Sequence, residues 1–445
     1  MSNGFLPMAP LEHPGATAVG LLDLVLPLET VWPGEPPARG TARDQLLLVR
    51  LHGEPIAIAH VDSQPALSWP EEEVAALWHA CNRSLISHIR RCGCMPEPRG
   101  ANELVDAIAE LDAPPRRETG AAQLSASVIV ATTGRRDMLI RCLDSLTKLR
   151  HERFEIVVVD NRPTGSATRE LVESYEPRAD VRYVAEPRPG LSFARNTGVM
   201  ASRGEVLAFT DDDVVVDATW LTELLEPFAD HTVAAVTGLV LPLTLESPVQ
   251  KRFELYAGFG KGVERQIYDL REHRADDRLL YPYWGGMFGS GNSMAFRAGA
   301  LARIGGFDPA LGAGTPTGGG EDIAAFTDVI LRGGRIVYEP RSACWHEHRA
   351  DEDALRSQVY NYGVGLTAVL WRYVGRDPHF LSAVGRSVPV VLRLIRKRSR
   401  DRTTSPTSND LMALEARGRL AGPWRYVRSR RMARRKGTSP HLPSA

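Results

Sequence analysis

The chain has 445 residues, 54 Lys/Arg against 54 Asp/Glu, 43% hydrophobic residues and 24% charged ones. Those fractions are ordinary for a globular protein, and the length suggests two or three domains. No run approaches the roughly eighteen consecutive apolar residues of a membrane-spanning helix. The opening residues, MSNGFLPMAPLEHPG, lack the basic and apolar regions of a signal peptide, so neither feature is expected. The charge is uneven: residues 386–436 hold sixteen Lys/Arg against Asp401, Asp410 and Glu415. The five cysteines (Cys81, Cys92, Cys94, Cys142, Cys344) show neither zinc spacing nor a disulfide framework. Their odd number suits a reducing cytosol, and the apolar surroundings of Cys142 and Cys344 mark them as core residues.

Residues 1–120 read as a small α+β accessory module. Residues 21–28 form an apolar run broken by Asp23 and Pro27. Residues 45–49 and 55–61 flank His52-Gly53-Glu54, the pattern of a β-hairpin. Residues 71–91 carry Val74, Leu77, Trp78, Cys81, Leu85, Ile86 and Ile89 on one helical face. His79, His88 and Cys81 lie near one another on that helix without suggesting a metal site. Residues 112–117 (Asp-Ala-Pro-Pro-Arg-Arg) read as a linker.

From Ser125 the pattern alternates between strand and helix. Buried strands are expected over 127–131, 154–159, 181–185, 206–209 and 233–240. Helices follow Asp137, Thr168 and Asp217. Repeated units of this length predict a mostly parallel sheet with helices on both faces. The first turn, Thr132-Thr133-Gly134-Arg135-Arg136, has one glycine, which excludes the Gly-x-Gly-x-x-Gly and P-loop devices.

The central stretch is residues 204–213. An apolar run over 206–209 leads into Asp211-Asp212-Asp213. Three adjacent carboxylates cannot be buried unpaired. Asp211 and Asp213 are two apart, so both can face one divalent ion. Three further clusters fall at expected ends of elements: Asp160 after the second strand, Arg195 and Asn196 within Gly190-Leu-Ser-Phe-Ala-Arg-Asn-Thr-Gly198, and Glu321-Asp322 after Gly318-Gly319-Gly320. Cys344-Trp345-His346-Glu347-His348 closes the pattern.

Residues 125–348 resemble the family 2 glycosyltransferases, which have a GT-A fold. The matching pieces are SVIVATTGRR, VVVDN, GLSFARNTG, FTDDD, GSGNSMAFR, GGFD, GGGED and EPRSACWHEH, in this order. The resemblance implies a Rossmann-like α/β catalytic domain over 121–350 and inverting transfer of a hexosyl or related sugar from a nucleotide-diphosphate donor. It implies that Thr132, Gly134 and Arg136 line the nucleotide pocket, that Asp160 meets the base, and that Arg195 and Asn196 lie near the diphosphate and ribose. Asp211 and Asp213 match the metal-binding Asp-x-Asp, with Mn2+ or Mg2+ as cofactor, and Asp212 is placed against donor sugar or ribose. Asp322 matches the catalytic base, with Glu321 beside it in the acceptor site. His346 matches a late histidine that completes the metal shell, and His348 competes for that role. The acceptor is a glycan, a lipid-linked sugar or a small molecule. Rival readings are a nucleotidyltransferase and a catalytically silent scaffold.

Physical chemistry supports these roles independently. A diphosphate leaving group gathers negative charge that a cation neutralises. An acceptor hydroxyl must lose its proton, and a carboxylate can take it. Asp322 stands at a helix N-terminus, which favours its ionised form. Residues 312–320, rich in glycine, read as a mobile loop able to close over the donor. The chain departs from the family at Asn161-Arg162-Pro163, and residues 250–283, with Glu254, Tyr256, Tyr268 and Tyr281, match no assigned piece. Acceptor contacts are expected there, with Trp284-Gly285-Gly286 shaping the boundary between donor and acceptor.

Residues 351–445 are expected to be helical and then basic. A basic amphipathic tail suits an anionic membrane surface, with nucleic acid a weaker alternative. The expected setting is cytoplasmic, against the inner face of the cell membrane.

Overall fold

The computed structural model describes residues 16–24, 30–33, 42–61, 71–111, 123–275, 280–385 and 406–437. The linker over 112–117, residues 25–28 of the first apolar run and the basic stretch 386–400 lie outside them. The first sheet contains β1 (Ala16–Asp23), β2 (Thr30–Val31), β3 (Ala42–Leu51) and β4 (Glu54–Val61), in the order β2-β1-β3-β4. The expected hairpin is present. β3 and β4 pair antiparallel, and His52 and Gly53, both at positive φ, form the turn between them. Helices α1 (Glu71–Cys92) and α2 (Ala101–Ala109) cover one face of this sheet.

The apolar alternation of β1 and β3 explains why the module is not detached. Leu22, Leu47 and Val49 face α1, around Leu77 and Leu85. Val19, Leu21, Leu46 and Leu48 point the other way and share a core with Leu239, Leu243 and Leu245 of the following region. Arg50 reaches across to Asp217 at 3.1 Å. The sheet is separate, but its second face is buried on the rest of the chain.

The cysteine expectation needs correcting. Cys92 and Cys94 form a disulfide, with Cα atoms 5.1 Å apart. Gly93 sits at φ 62°, so the chain bends back and brings the two sulfurs together. A ring closed by so few residues leaves no spacing signature, which is why a framework search misses it. Cys81, Cys142 and Cys344 are buried free thiols, as read from their patterns.

The second sheet has nine strands. In chain order they are β5 (Ala126–Thr132), β6 (Phe154–Asn161), β7 (Val181–Glu186), β8 (Val206–Asp211), β9 (Val214–Val216), β10 (Val233–Pro242), β11 (Gln266–Tyr268), β12 (Met294–Arg297) and β13 (Arg335–His346). The path is β11-β13-β10-β12-β8-β5-β6-β7, and β9 pairs with β13. β5, β6, β7, β8, β10 and β13 run one way, and only β9, β11 and β12 oppose them. The mixed, mostly parallel α/β architecture is therefore the one expected. Between the strands lie α3 (Arg136–Leu146), α4 (Ala167–Glu173), α5 (Leu191–Ala201), α6 (Trp220–Leu225), α7 (Pro248–Ala257), α8 (Ala298–Ile304) and α9 (Glu321–Leu331). Two cores flank the sheet, one around Phe209, Phe296 and Phe326, the other around Leu143, Val158 and Trp220.

Two long helices finish the described chain, α10 (Glu352–Tyr373) and α11 (Pro406–Arg435). They run side by side in the same direction. A Cβ on Gly418 would strike the carbonyl oxygen of Tyr360, and one on Gly363 would strike that of Glu415. Thr367 donates to Arg419 O at 2.8 Å across the contact. No helix among the described residues is long and apolar enough to cross a membrane.

The crossing gives a test in which two effects oppose each other. Helix propensity alone predicts that Gly418→Ala stabilises by up to about 1 kcal/mol. The collision predicts the opposite, a loss of about 1–3 kcal/mol as the helices are forced apart. A lower melting temperature for the variant is expected. A higher one would show that the helices separate easily.

Candidate functional site

The site lies at the C-terminal ends of β5 and β8, facing the N-terminus of α9. This is where an open α/β sheet gathers ligands. β8 is buried along its length until Asp211, so its apolar run carries the chain straight to the three carboxylates.

Asp212 is 1% exposed and is held by the Thr132 hydroxyl at 2.6 Å. Arg135 caps it from above, donating to both Asp212 oxygens, and reaches Asp213 Oδ2 at 2.8 Å. The expectation for Arg136 therefore moves by one residue. α3 begins at Arg136, whose side chain is exposed, while Arg135 lies just outside the helix and is free to turn into the cleft. Gly134 is at φ 85° and donates its N–H to Thr132 Oγ1, which shapes this turn. Burial raises the Asp212 pKa, and Arg135 opposes the shift.

Arg195 is the other cation, at 2% exposure. It donates to Glu321 Oε1 at 2.8 Å, Asp211 Oδ1 at 3.1 Å and Gly291 O at 3.2 Å. Burial disfavours its charge, but Asp211, Glu321 and Asp322 outweigh that and hold its pKa above the ordinary value. Burial pushes Asp211 up to about 6 and Glu321 up to about 7, with Arg195 opposing in both cases. Glu321 is thus a buried partner of Arg195 rather than an open acceptor-site group. Asp322 is half-buried. Its Oδ2 accepts from Gly291 N at 2.9 Å and its Oδ1 from Ile323 N at 2.7 Å. The Gly291 peptide therefore joins Arg195 to Asp322.

Asn196 is elsewhere. Its amide donates to Phe307 O at 2.8 Å and accepts from Phe307 N at 2.9 Å, a clamp that fixes the turn after α8. Asp160, 3% exposed, accepts from the Tyr183 hydroxyl at 3.1 Å at the end of β6.

On the far side of the carboxylates a chain of side chains runs inward. Glu254 on α7 meets His348 Nε2 at 2.7 Å, and His348 Nδ1 meets His346 Nδ1 at 3.1 Å. His346 Nε2 then faces Asp213 Oδ1 at 3.5 Å. A carboxylate only accepts, so His348 Nε2 carries a proton. Burial lowers His346 to about 4, so its ring is neutral. His346 Nδ1 is taken up by His348, which leaves Nε2 as the ring nitrogen that faces Asp213. Asp213 Oδ1 is buried and has no hydrogen-bond partner. A buried carboxylate oxygen without a hydrogen-bond partner, facing a histidine nitrogen this closely, fits a cation between them. The separation is that of two ligands at about 2.1 Å from one divalent ion. Burial would raise Asp213, but His346 and Arg135 prevail and keep it below the usual carboxylate range. Asp211, turned towards Arg195, does not converge with Asp213 and His346 within 4.8 Å.

Of the stretch 250–283, where acceptor contacts are expected, the described residues are largely occupied in packing. Tyr268 and Tyr281 are buried, and their hydroxyls donate to Met287 O and Asp269 O. Tyr256 donates to Glu415 at 2.6 Å. The loop 312–320, read as mobile, is tied at several points. Gly312 N bonds Gly319 O, Leu191 N bonds Ala313 O, and Thr317 is fully buried. Arg135, Gly291 and the Glu254–His348 pair are the contributors that sequence reasoning missed. Arg135 stands next to a named position, and Glu254 and His348 each stand out in the sequence, but nothing local signals that those two pair.

Comparison with known proteins follows the same residues. Residues 127–305 match the family model described as glycosyl transferase family 2. The chain is 30% identical over 254 residues, 56% of this chain and 47% of the other, to a pre-mycofactocin glycosyltransferase of Mycobacterium tuberculosis. It is 32% identical over 219 residues, 47% of this chain and 63% of the other, to the succinoglycan biosynthesis protein ExoM of Rhizobium meliloti. The chain spans about half the length of the first relative and less than two thirds of the second. A mannosyltransferase of Pyrobaculum calidifontis, solved in complex with GDP-Man and Mn2+, aligns over 84% of this chain and 89% of its own, with 18% identity and a TM-score of 0.42.

The raised Glu321 pKa carries a stability consequence. The fold favours the protonated carboxyl, so its contribution is fully present below the unfolded value of 4.5 and is lost as pH rises towards about 7. Melting temperatures in chelator should fall across that window, and Glu321→Gln should flatten the fall. An unchanged profile in the variant would show that Glu321 is not the group responsible.

Proposed function

Residues 127–305 belong to glycosyl transferase family 2, and on that premise we propose that the chain is a metal-dependent, inverting glycosyltransferase. It moves a hexosyl or related sugar from a nucleotide-diphosphate sugar to an acceptor hydroxyl, as part of glycan or glycoconjugate synthesis. The observation that carries the metal dependence is the orphaned Asp213 Oδ1 facing His346 Nε2 across 3.5 Å.

In this reading Asp213 and His346 hold the divalent ion, with Asp211 next to them on β8. The ion supplies neutralising charge for the departing diphosphate. His348 is not a ligand. It orients His346, with Glu254 behind it, as partners of a ligating histidine commonly do. Arg135 and Arg195 balance the remaining carboxylates and offer guanidinium groups to a phosphate. Thr132 and Gly134 shape the nucleotide side of the cleft, and Asp160 and Tyr183 stand at the end of β6 where a base or ribose would lie. Asp322 takes the proton from the acceptor hydroxyl. Its hydrogen bonds to two backbone N–H groups keep it aimed for that step. Glu321, through Arg195, keeps the cluster assembled.

Two experiments test the reading. Asp322→Asn should bind nucleotide diphosphate and Mn2+ like the wild type and transfer sugar about two to four orders of magnitude more slowly. Wild-type turnover in that variant would remove Asp322 from the chemistry. Separately, Mn2+ titration followed by electron spin resonance should show binding lost in Asp213→Ala and His346→Asn. Glu254→Gln should weaken it by roughly tenfold or more. Full-strength Mn2+ binding by His346→Asn would assign the ligand role elsewhere.

A further inference from the structure

We propose that the outer face of α11 docks on an anionic lipid bilayer. Its inner face carries Gly418, Gly422, Tyr426 and Ser429, all buried against the rest of the chain. The opposite face is unusual. Leu420 is 85% exposed and Trp424, one turn later, is 68% exposed. Arg417 precedes them by one turn, and Arg428 and Arg431 follow on the same side of the helix. Two apolar anchors framed by arginines form the pattern of a helix lying in the headgroup region, its apolar groups dipping towards the acyl chains.

The charge is equally one-sided. Residues 416–437 hold nine Lys/Arg and no acid. Arg419 is paired with Glu415, while Arg425 and Lys436 bond the carbonyls of Pro316 and Pro189. Arg417, Arg428, Arg430, Arg431, Arg434 and Arg435 have no ion-pair partner among the described residues. At the end of α10, Trp371 and Val374 are 44% and 41% exposed. With Arg430, Arg431 and Arg434 they line a cleft of about 450 Å³, open to a headgroup phosphate. A nucleic acid would use the arginines but leave Leu420 without a role. A bilayer uses both, and the interfacial preference of tryptophan fits Trp424 and Trp371. No described helix can cross a membrane, so the contact is with its surface. The inference stands apart from the sugar-transfer reading, because it rests on the outer face of α11, whereas Arg425, Tyr426 and Lys436 make the bonds of this helix to Pro316, Asp308 and Pro189.

The test is co-sedimentation of the full chain with phosphatidylcholine vesicles, with and without phosphatidylglycerol. Binding is expected only with phosphatidylglycerol and should weaken as salt is added. Tryptophan emission should shift to the blue, less so in Trp424→Phe. Replacing Arg417, Arg428 and Arg431 together with Gln should weaken binding on the order of a hundredfold. Leu420→Ser with Trp424→Ser should reduce it while leaving the melting temperature unchanged, since both positions are exposed. No sedimentation at low salt, or undiminished binding in both sets of variants, overturns the proposal. So does a Trp424 already shielded from a soluble quencher without vesicles, which would mean that the chain covers this face itself. Tighter binding to single-stranded or duplex DNA than to vesicles at equal salt would reassign the face to nucleic acid.

Discussion

Five carboxylates share one cleft with two arginines. Asp211, Asp212, Asp213, Glu321 and Asp322 come from one strand end and one helix start; Arg135 and Arg195 bond to them directly, and Arg349 adds positive charge near Asp213. Buried like charges at this density are tolerable only if some stay protonated or another cation arrives. The first response is visible in the raised pKa values of Asp211, Asp212 and Glu321. The second is prepared by Asp213 Oδ1, which lacks a hydrogen-bond partner and faces His346 Nε2. Arg195 depends on this deficit. Buried almost completely, it keeps its charge because three acids surround it, and in return it links β8, α9 and the Gly291 turn.

Much of the framework is legible from residue pattern alone. Strands buried on both faces produce near-continuous apolar runs, and β5, β6, β8 and β10 all announce themselves in this way. β12 does not. It runs against its neighbours β8 and β10, and direction leaves no trace in composition. The three aspartates are legible because charge at the end of an apolar strand has no structural excuse. Their partners are less so. Arg135 and Arg136 are adjacent and alike, and the residue that enters the cleft is decided by where α3 begins. Arg195 and Asn196 are also adjacent, yet one joins the acids and the other clamps Phe307, because neighbours on a helix point in different directions.

The least legible features join distant segments. Glu254 and His348 are 94 positions apart, and nothing in either neighbourhood points to the other. Their pairing nonetheless engages His348, so that His346 is the histidine that faces Asp213. The N-terminal sheet is similar. Its hairpin and helix are plain in the sequence, whereas the burial of its second face on the region of the nine-stranded sheet follows from a tertiary contact.

Helix α10 meets α11 through Gly363 on one side and the turn at Gly319 and Gly320 through Gly365 on the other. Ordinary helix contacts are cushioned, because side chains can change rotamer when a neighbour shifts. Backbone pressed on backbone has no such compliance, and a close-packed interior transmits strain. α10 is therefore a rigid spacer between the terminal helix and the turn that delivers Glu321 and Asp322. Displacement of one must be taken up by the other, so the geometry of the proposed base is set in part by a helix more than eighty residues downstream in the chain.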